Sequence, residues 1–286
     1  MNIDPSPLIS AEQLMARLRE AEPPLVVDTG FDLADVESGR RAWQAGHLPG
    51  SIYQHLDDDL SGPKTGTNGR HPLLAPEAYA KVFGRAGIDD TTEVIAYDQN
   101  QGTYAARLWW MLRWLGHDAV AVLDGGFDKW RREAHPVSTE VPRLPVRKFI
   151  PRPRRITVDA AGVQANLDTK ALLVVDARGA ERFRGDVEPF DPVAGHIPGA
   201  VNRPFTKNLS TDGTFKAPAA LRTEYLAMLQ GRSPDTLVHQ CGSGVTACHN
   251  LLAMEIAGLH GAALYPGSWS EWSSDSSRPM EKSPRS

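Results

Sequence analysis

The 286-residue sequence has few cysteines, no long apolar run and no excess of basic residues. Its two cysteines, Cys241 and Cys248, are too few for a disulfide framework or a four-cysteine zinc site. No stretch approaches the roughly 18 consecutive apolar residues that span a bilayer, and the first ten residues lack the basic and apolar regions of a secretory signal. The net charge of −4 argues against a nucleic-acid-binding surface. These absences favour a cytoplasmic globular protein without a membrane or nucleic-acid partner.

The sequence carries one set of motifs twice. Four landmarks recur in the same order at a nearly constant spacing, which indicates a duplicated domain. The corresponding segments are 24–30 with 172–178, 46–51 with 195–200, 94–112 with 237–254, and 124–130 with 265–272.

The composition suggests where one domain ends and the next begins. We place the first domain at 1–132, a linker at 133–155 and the second domain at 156–286. The linker alternates prolines with basic residues, so it is expected to run extended over the surface, with its basic groups either solvated or in contact with acidic groups of the domains. The polar, Ser/Pro-rich tail after Trp272 is expected to be disordered.

Short apolar runs alternate with helix-length patterns in each repeat. Residues 25–27, 94–97 and 119–123 are typical of buried strands, whereas 76–87 and 102–116 are typical of helices. Unbroken apolar strands that alternate with helices predict an α/β fold. Each of the two tandem domains is expected to be a mostly parallel sheet covered by helices on both faces.

The segment 236–259 carries the strongest chemical signal. An apolar run ends just before Cys241, a loop containing Gly242 and Gly244 follows, and a helical pattern then begins. A cysteine at the carboxyl end of a strand lies where open α/β sheets bind ligands, and convergent backbone N–H groups and the helix dipole favour a thiolate there. Cys241 is therefore predicted to be a nucleophile. Cys248, two helical turns later, is interpreted as a packing residue.

Several motifs together point to a known family. The duplicated GHxPG turns, the block from DAR through RFRG to GHIPGA, CGSGVTAC and GSWSEW resemble the tandem-domain rhodanese superfamily of sulfurtransferases over residues 8–272. The form CGSGVT is similar to that of the 3-mercaptopyruvate sulfurtransferases. The resemblance implies two rhodanese-like domains and a cysteine, Cys241, that carries sulfur as a persulfide without a cofactor or a metal. Asp98 occupies the corresponding position of the first repeat and cannot accept sulfur, so the first domain is expected to be catalytically inactive.

The same resemblance suggests which residues bind the sulfur donor. Arg182 matches the arginine that holds the donor's anionic end, and a guanidinium fork suits a carboxylate. The family's second arginine is missing from the segment 187–192, and Arg184 and Arg203 are candidates to replace it. The other candidate donor-binding residues belong to the cysteine loop: Gly242, Gly244, Val245 and Thr246.

A polar relay is also implied by the resemblance. Ser243 in the cysteine loop, His71 in GRHPLLAP and Asp57 in HLDDDLSG are similar to a serine–histidine–aspartate relay that could protonate a pyruvate enolate. Asp58 and Asp59 fit the acidic position equally well by charge.

The expected reaction moves a sulfane sulfur from 3-mercaptopyruvate to a thiol, a thioredoxin-like protein or cyanide. Gly242 and Ser243 carry no charge, so the sequence predicts little positive charge beside Cys241 for the dianion thiosulfate. A thiosulfate:cyanide sulfurtransferase and a non-enzymatic persulfide carrier remain alternatives. A cysteine phosphatase is disfavoured because Ala247 stands where the Cys-x5-Arg pattern requires arginine, and a serine hydrolase is disfavoured because the G-x-S-x-G pattern is absent.

Overall fold

In the computed structural model, which describes residues 6–283, the chain forms two compact units. The first unit contains the described residues up to Ser61 together with 74–155 and 211–215. The second unit contains 62–73, 156–210 and the described residues from Lys216 onward. The segment 62–73 therefore belongs to the second unit, although it lies within the first repeat of the sequence.

The first unit is a five-stranded sheet with five helices. All of its strand pairs are parallel, in the order β1-β5-β4-β2-β3. Its strands are β1 Leu8–Ile9, β2 Leu25–Asp28, β3 Ile52–Tyr53, β4 Val94–Tyr97 and β5 Val120–Leu123. Its helices are α1 Ala11–Arg17, α2 Ser38–Ala45, α3 Pro76–Arg85, α4 Ala105–Trp114 and α5 Gly126–Arg132.

The second unit repeats this design with four strands. These strands are also parallel, in the order β7-β6-β8-β9. Its strands are β6 Leu173–Asp176, β7 Val201–Asn202, β8 Leu237–Gln240 and β9 Ala263–Leu264. Its α-helices are α6 Ala160–Thr169, α7 Ala180–Arg184, α8 Pro218–Leu229, α9 Thr246–Ile256 and α10 Ser268–Trp272, and short 3-10 helices cover Phe205–Asn208 and Pro234–Thr236.

The predicted α/β class and the strand and helix assignments are confirmed. The central strands β2, β4, β5 and β8 are buried along their whole length, as strands covered on both faces must be. Helix α1 begins with a capping box, because Ser10 accepts the backbone N–H of Gln13 and the Gln13 side chain accepts the Ser10 backbone N–H.

The segment 133–155 runs extended along the first unit, as its proline content predicts. Backbone N–H groups of Arg147, Arg152 and Arg154 donate to carbonyl groups at the ends of α3 and α4. The same three side chains form ion pairs with aspartates. The basic residues of this segment therefore contact acidic groups of the first unit.

The expectation of a disordered tail is wrong for residues 273–283. Glu281 forms an antiparallel bridge with His196, and the Trp272 indole N–H donates to the carbonyl oxygen of Pro279 at 2.9 Å. Backbone pairing overrides the polar composition here, because it satisfies groups at the GHIPG turn. The last residues of the predicted tail, 284–286, lie outside the described residues.

Candidate active site

Cys241 directly follows β8, a strand with a neighbour on each side. It is 2% exposed, and its loop leads through buried Val245 into α9, which begins at Thr246. The loop needs glycine at Gly244, where φ is +76° and a Cβ atom would lie against the backbone of Pro266. Cys241 thus lies at the strand-to-helix turn that the sequence predicts.

Helix α10 holds the backbone of the cysteine loop. The Cys241 N–H donates to the Ser268 hydroxyl at 3.1 Å, and the Trp269 N–H donates to the Cys241 carbonyl at 3.0 Å. The Ser270 N–H donates to the Gly242 carbonyl at 2.9 Å. Ser268 adopts a left-handed φ of +55°, which is unusual for a residue with a side chain and is stabilised by these bonds. The GSWSEW motif therefore holds the backbone of the cysteine loop in place.

Two guanidinium groups flank the loop at Gly242. A Cβ atom at this residue would lie 2.8 Å from Arg70 Nη2 and 3.3 Å from Arg182 Nη1. Both arginines are mostly buried, with side chains 21% and 19% exposed. Arg182 thus lies beside the loop, as predicted, and glycine at 242 leaves room for both cations.

Gly242 and Ser243 bring no charge to the loop, but two guanidinium groups lie beside it. The positive charge comes from residues distant in sequence and not from the two positions after the cysteine. Arg184 is paired with Asp186, and Arg203 with Glu224. The second guanidinium at the loop is Arg70, which sequence reasoning missed. Its position directly before His71 was the available signal.

Buried Arg178 shares Glu188 with Arg182 and carries a third positive charge. Its guanidinium contacts Asp176 at 2.7 Å and Glu188 at 3.2 Å, and it also donates to the Gly195 carbonyl. Burial lowers the pKa of Arg178, but the charges of Asp176, Glu188 and Cys241 raise it by more, so the net shift is upward. The cation therefore stays charged within electrostatic reach of Cys241.

Ser243 and His71 form a buried hydrogen bond. The Ser243 hydroxyl lies 2.7 Å from His71 Nδ1, and the two residues are 5% and 2% exposed. His71 comes from the first repeat in sequence, but it belongs to the second unit, as Ser243 does. The structure therefore brings together two members of the expected relay.

The three aspartates at 57–59 belong to the first unit. Asp58 pairs with Arg40 at 3.2 Å, and the Asp59 carboxylate accepts the His55 backbone N–H at 2.7 Å. The backbone N–H of Asp57 donates to His55 Nδ1. Asp58 and Asp59 therefore have local partners.

The corresponding loop of the first unit is occupied by its own side chain. Asp98 follows β4 as Cys241 follows β8, and it is fully buried. Its carboxylate accepts four backbone N–H groups of the same loop at 2.8–2.9 Å, from Asn100, Gly102, Tyr104 and Ala105. The loop geometry of this fold can thus direct several N–H groups at one negative charge.

Cys248 is a buried residue of α9. Its Sγ donates to the Gly244 carbonyl at 3.2 Å, one turn earlier. His239 contacts the sulfur of Met254, and His249 contacts Asn208.

The family model for the rhodanese-like domain matches residues 10–133 and 159–275. The chain belongs to the rhodanese-like domain family. It is 45% identical over 276 residues to a probable 3-mercaptopyruvate sulfurtransferase of Pseudomonas aeruginosa, covering 96% of this chain and 97% of that protein. It is 36% identical over 285 residues to the thiosulfate sulfurtransferase of Cricetulus griseus, covering 93% and 91% of the two chains.

A solved structure of the same family has the same fold. SseA from Escherichia coli, named among the 3-mercaptopyruvate sulfotransferases, superimposes with a TM-score of 0.80 at 28% identity. The match covers 92% of this chain and 99% of SseA. The two rhodanese-like domains that the motifs predict are therefore confirmed. Among the described residues, no helix is both long enough and apolar enough to cross a bilayer.

Proposed function

We propose that this rhodanese-like protein is a sulfurtransferase that takes sulfur from 3-mercaptopyruvate through a persulfide on Cys241. The observation that carries this proposal is the set of groups around one cysteine: Arg70 and Arg182 beside Gly242, and the Ser243–His71 pair in the same loop. A nucleophile, cations for an anionic donor and a proton source lie within one unit.

The first half-reaction transfers one sulfur atom. The Cys241 thiolate attacks the donor's sulfur, an S–S bond forms, and the donor's C–S bond breaks. The electron pair of that bond stays on the organic fragment as the enolate of pyruvate. We expect the loop N–H groups from Gly242 to Thr246 to stabilise the anionic sulfur of the Cys241 thiolate, by analogy with the four N–H groups that hold Asp98.

The Ser243–His71 pair completes this step by delivering a proton to the enolate. Asp57 stays a prediction from the family resemblance as the third member of the relay. Arg182 and Arg70 hold the donor's carboxylate through their planar forks. In the second half-reaction a thiol, a thioredoxin-like protein or cyanide attacks the outer sulfur and restores the Cys241 thiolate.

Thiosulfate is the second candidate donor. The two guanidinium groups at Gly242 favour it, since they supply the positive charge that the loop sequence lacks. Relatives named for each donor resemble this chain over almost its whole length. Comparing kcat/KM for the two donors with one acceptor decides between them, and we expect mercaptopyruvate to be preferred.

The first domain acts as a scaffold in this proposal. In the first domain, Asp98 stands at the position that Cys241 occupies in the second domain. A carboxylate at this position cannot form a persulfide. We place the reaction in the cytoplasm, since both cysteines are thiols and sulfur transfer needs a reduced Cys241.

The two buried cysteines provide a matched test. After incubation with mercaptopyruvate alone, intact-protein mass spectrometry should show about 32 Da added, and the added mass should be lost on treatment with cyanide. Cys241→Ser should abolish both this adduct and pyruvate release, whereas Cys248→Ser should retain them.

Persulfide on Cys248 would contradict the assignment of the nucleophile. An adduct at Cys241 without catalytic pyruvate release in the presence of a thiol would instead support the persulfide carrier.

A further inference from the structure

Asp191 lies between the two arginines that flank the cysteine loop. One carboxylate oxygen pairs with Arg70 Nη1, and the other lies 3.3 Å from Arg182 Nη2. The Asp191 side chain is only 3% exposed. The adjacent Phe190 ring lies under both guanidinium groups, 5.4 Å from Arg70 and 5.1 Å from Arg182. Both oxygens of a buried carboxylate are thus directed at the proposed donor-binding cations.

The charges of the site cancel because of this residue. Three guanidinium groups meet three buried carboxylates, so the cluster has no formal net charge. The cations are Arg70, Arg178 and Arg182, and the carboxylates are Asp176, Glu188 and Asp191.

The two carboxylates nearest the arginines have different roles. Glu188 pairs with Arg182 at 2.6 Å and also accepts the backbone N–H groups of Phe190 and Asp191, so it shapes the segment. Asp191 directs its oxygens at the two guanidinium groups. Removing the charge of Asp191 therefore changes the electrostatics of the site more selectively than removing that of Glu188.

We propose that Asp191 is a specificity-determining residue that makes the site select donors with one negative charge over dianions. This role rests on the proposed function, because Asp191 would set the donor preference of the proposed sulfurtransferase. Mercaptopyruvate brings one carboxylate, which two guanidinium groups beside Asp191 can hold. Thiosulfate brings two negative charges, and the second is opposed by the Asp191 carboxylate.

The test is Asp191→Asn, which keeps the shape of the side chain and removes its charge. With cyanide as the common acceptor, kcat/KM is measured for thiosulfate and for mercaptopyruvate. We expect the ratio of thiosulfate to mercaptopyruvate to rise about tenfold, mainly through a lower KM for thiosulfate. Asp191→Glu should keep the wild-type ratio. Asp275→Asn, an equal change of charge at a residue paired with Arg278, should also leave the ratio unchanged.

An unchanged or lower ratio in Asp191→Asn would overturn the proposal, as would an equal change for both donors. Asp191→Ser serves as a second neutral variant. If neither neutral variant folds, Asp191 is a structural residue and the proposal is also overturned. Failure of the wild-type protein to transfer sulfur from either donor would instead overturn the proposed function.

Discussion

At the scale of single residues, the site combines one predicted nucleophile with partners from distant parts of the chain. Ser243 and His71 are 172 positions apart, and Arg70 and Asp191 are 121 apart. Ser268 and its neighbours hold the backbone of the cysteine loop, against which these side chains lie. Substitutions at these positions should therefore change individual steps of the reaction.

The Ser243–His71 pair should matter for one donor far more than for the other. The enolate of pyruvate that leaves must be stabilised or protonated, whereas loss of sulfite from thiosulfate requires no such proton. Ser243→Ala and His71→Ala should lower kcat for mercaptopyruvate by roughly 10²–10⁴-fold and change thiosulfate turnover much less. The double variant should resemble the single variants, because one relay is broken twice.

Steady-state assays with both donors measure this difference, and His260→Ala, at an exposed histidine, is the control. Equal losses for both donors would show that Ser243 only shapes the loop.

The two arginines should act mainly in donor binding. Arg182→Lys and Arg70→Lys keep the charge and lose the planar fork, so KM for mercaptopyruvate should rise about tenfold while kcat falls less. Arg184→Lys is the matched control, since Arg184 is paired with Asp186. If KM for mercaptopyruvate stays at the wild-type value in either variant, the substituted arginine does not bind the donor.

At the scale of elements, the two repeats use one strand–loop–helix unit in two ways. After β8 the loop presents Cys241, whereas after β4 it closes around Asp98. The GHxPG turns, by contrast, keep the same role in both repeats. His47 contacts the Trp43 carbonyl and stacks on that indole, and His196 contacts the Phe183 carbonyl and stacks on that ring. The cysteine loop, unlike these turns, has diverged in its chemistry.

Asp98 should be a major stabilising residue of its loop. Asp98→Ala would leave four buried backbone N–H groups without their acceptor, and each unsatisfied group costs about 1–3 kcal/mol. We expect the free energy of unfolding to fall by about 3 kcal/mol or more in urea titrations. Asp128→Ala, at an exposed position on α5, is the control. A loss of less than 1 kcal/mol would contradict the role assigned to the carboxylate.

At the scale of the whole molecule, stability should depend on pH through a buried acid of the first unit. Burial raises the pKa of Asp28 from 3.8 to about 7, more than its bonds to Gly30 and Tyr97 lower it, and the charge of Asp98 adds to the rise. The corresponding Asp176 has Arg178 as a partner, whereas Gly30 stands at the equivalent place in the first repeat. The first repeat therefore has no arginine at the position that corresponds to Arg178.

The sign of this pH effect follows from proton binding. Between pH 4 and 7 the folded state holds a proton on Asp28 that the unfolded chain releases, so stability falls as pH rises through that window. Asp28→Asn should remove this slope and gain stability relative to wild type by a few kcal/mol, about 4 at most, near pH 8.

Chemical denaturation at pH 5 and pH 8 measures the change, with Asp35→Asn at an exposed position as the control. A difference between Asp28→Asn and wild type that does not grow with pH would contradict the assignment.

The sequence by itself determined the duplicated α/β plan, the buried strands, the capping box of α1 and the place of Cys241 after β8. These features depend on local patterns, because periodicity and glycine placement act over a few residues. The tertiary structure alone decided which groups meet at the loop. It placed Arg70 and His71 in the second unit, directed Asp191 at two arginines and ordered residues 273–283 beside the GHIPG turn. Contacts between residues more than 100 positions apart in sequence arise from packing and burial of charge, which a single sequence does not specify.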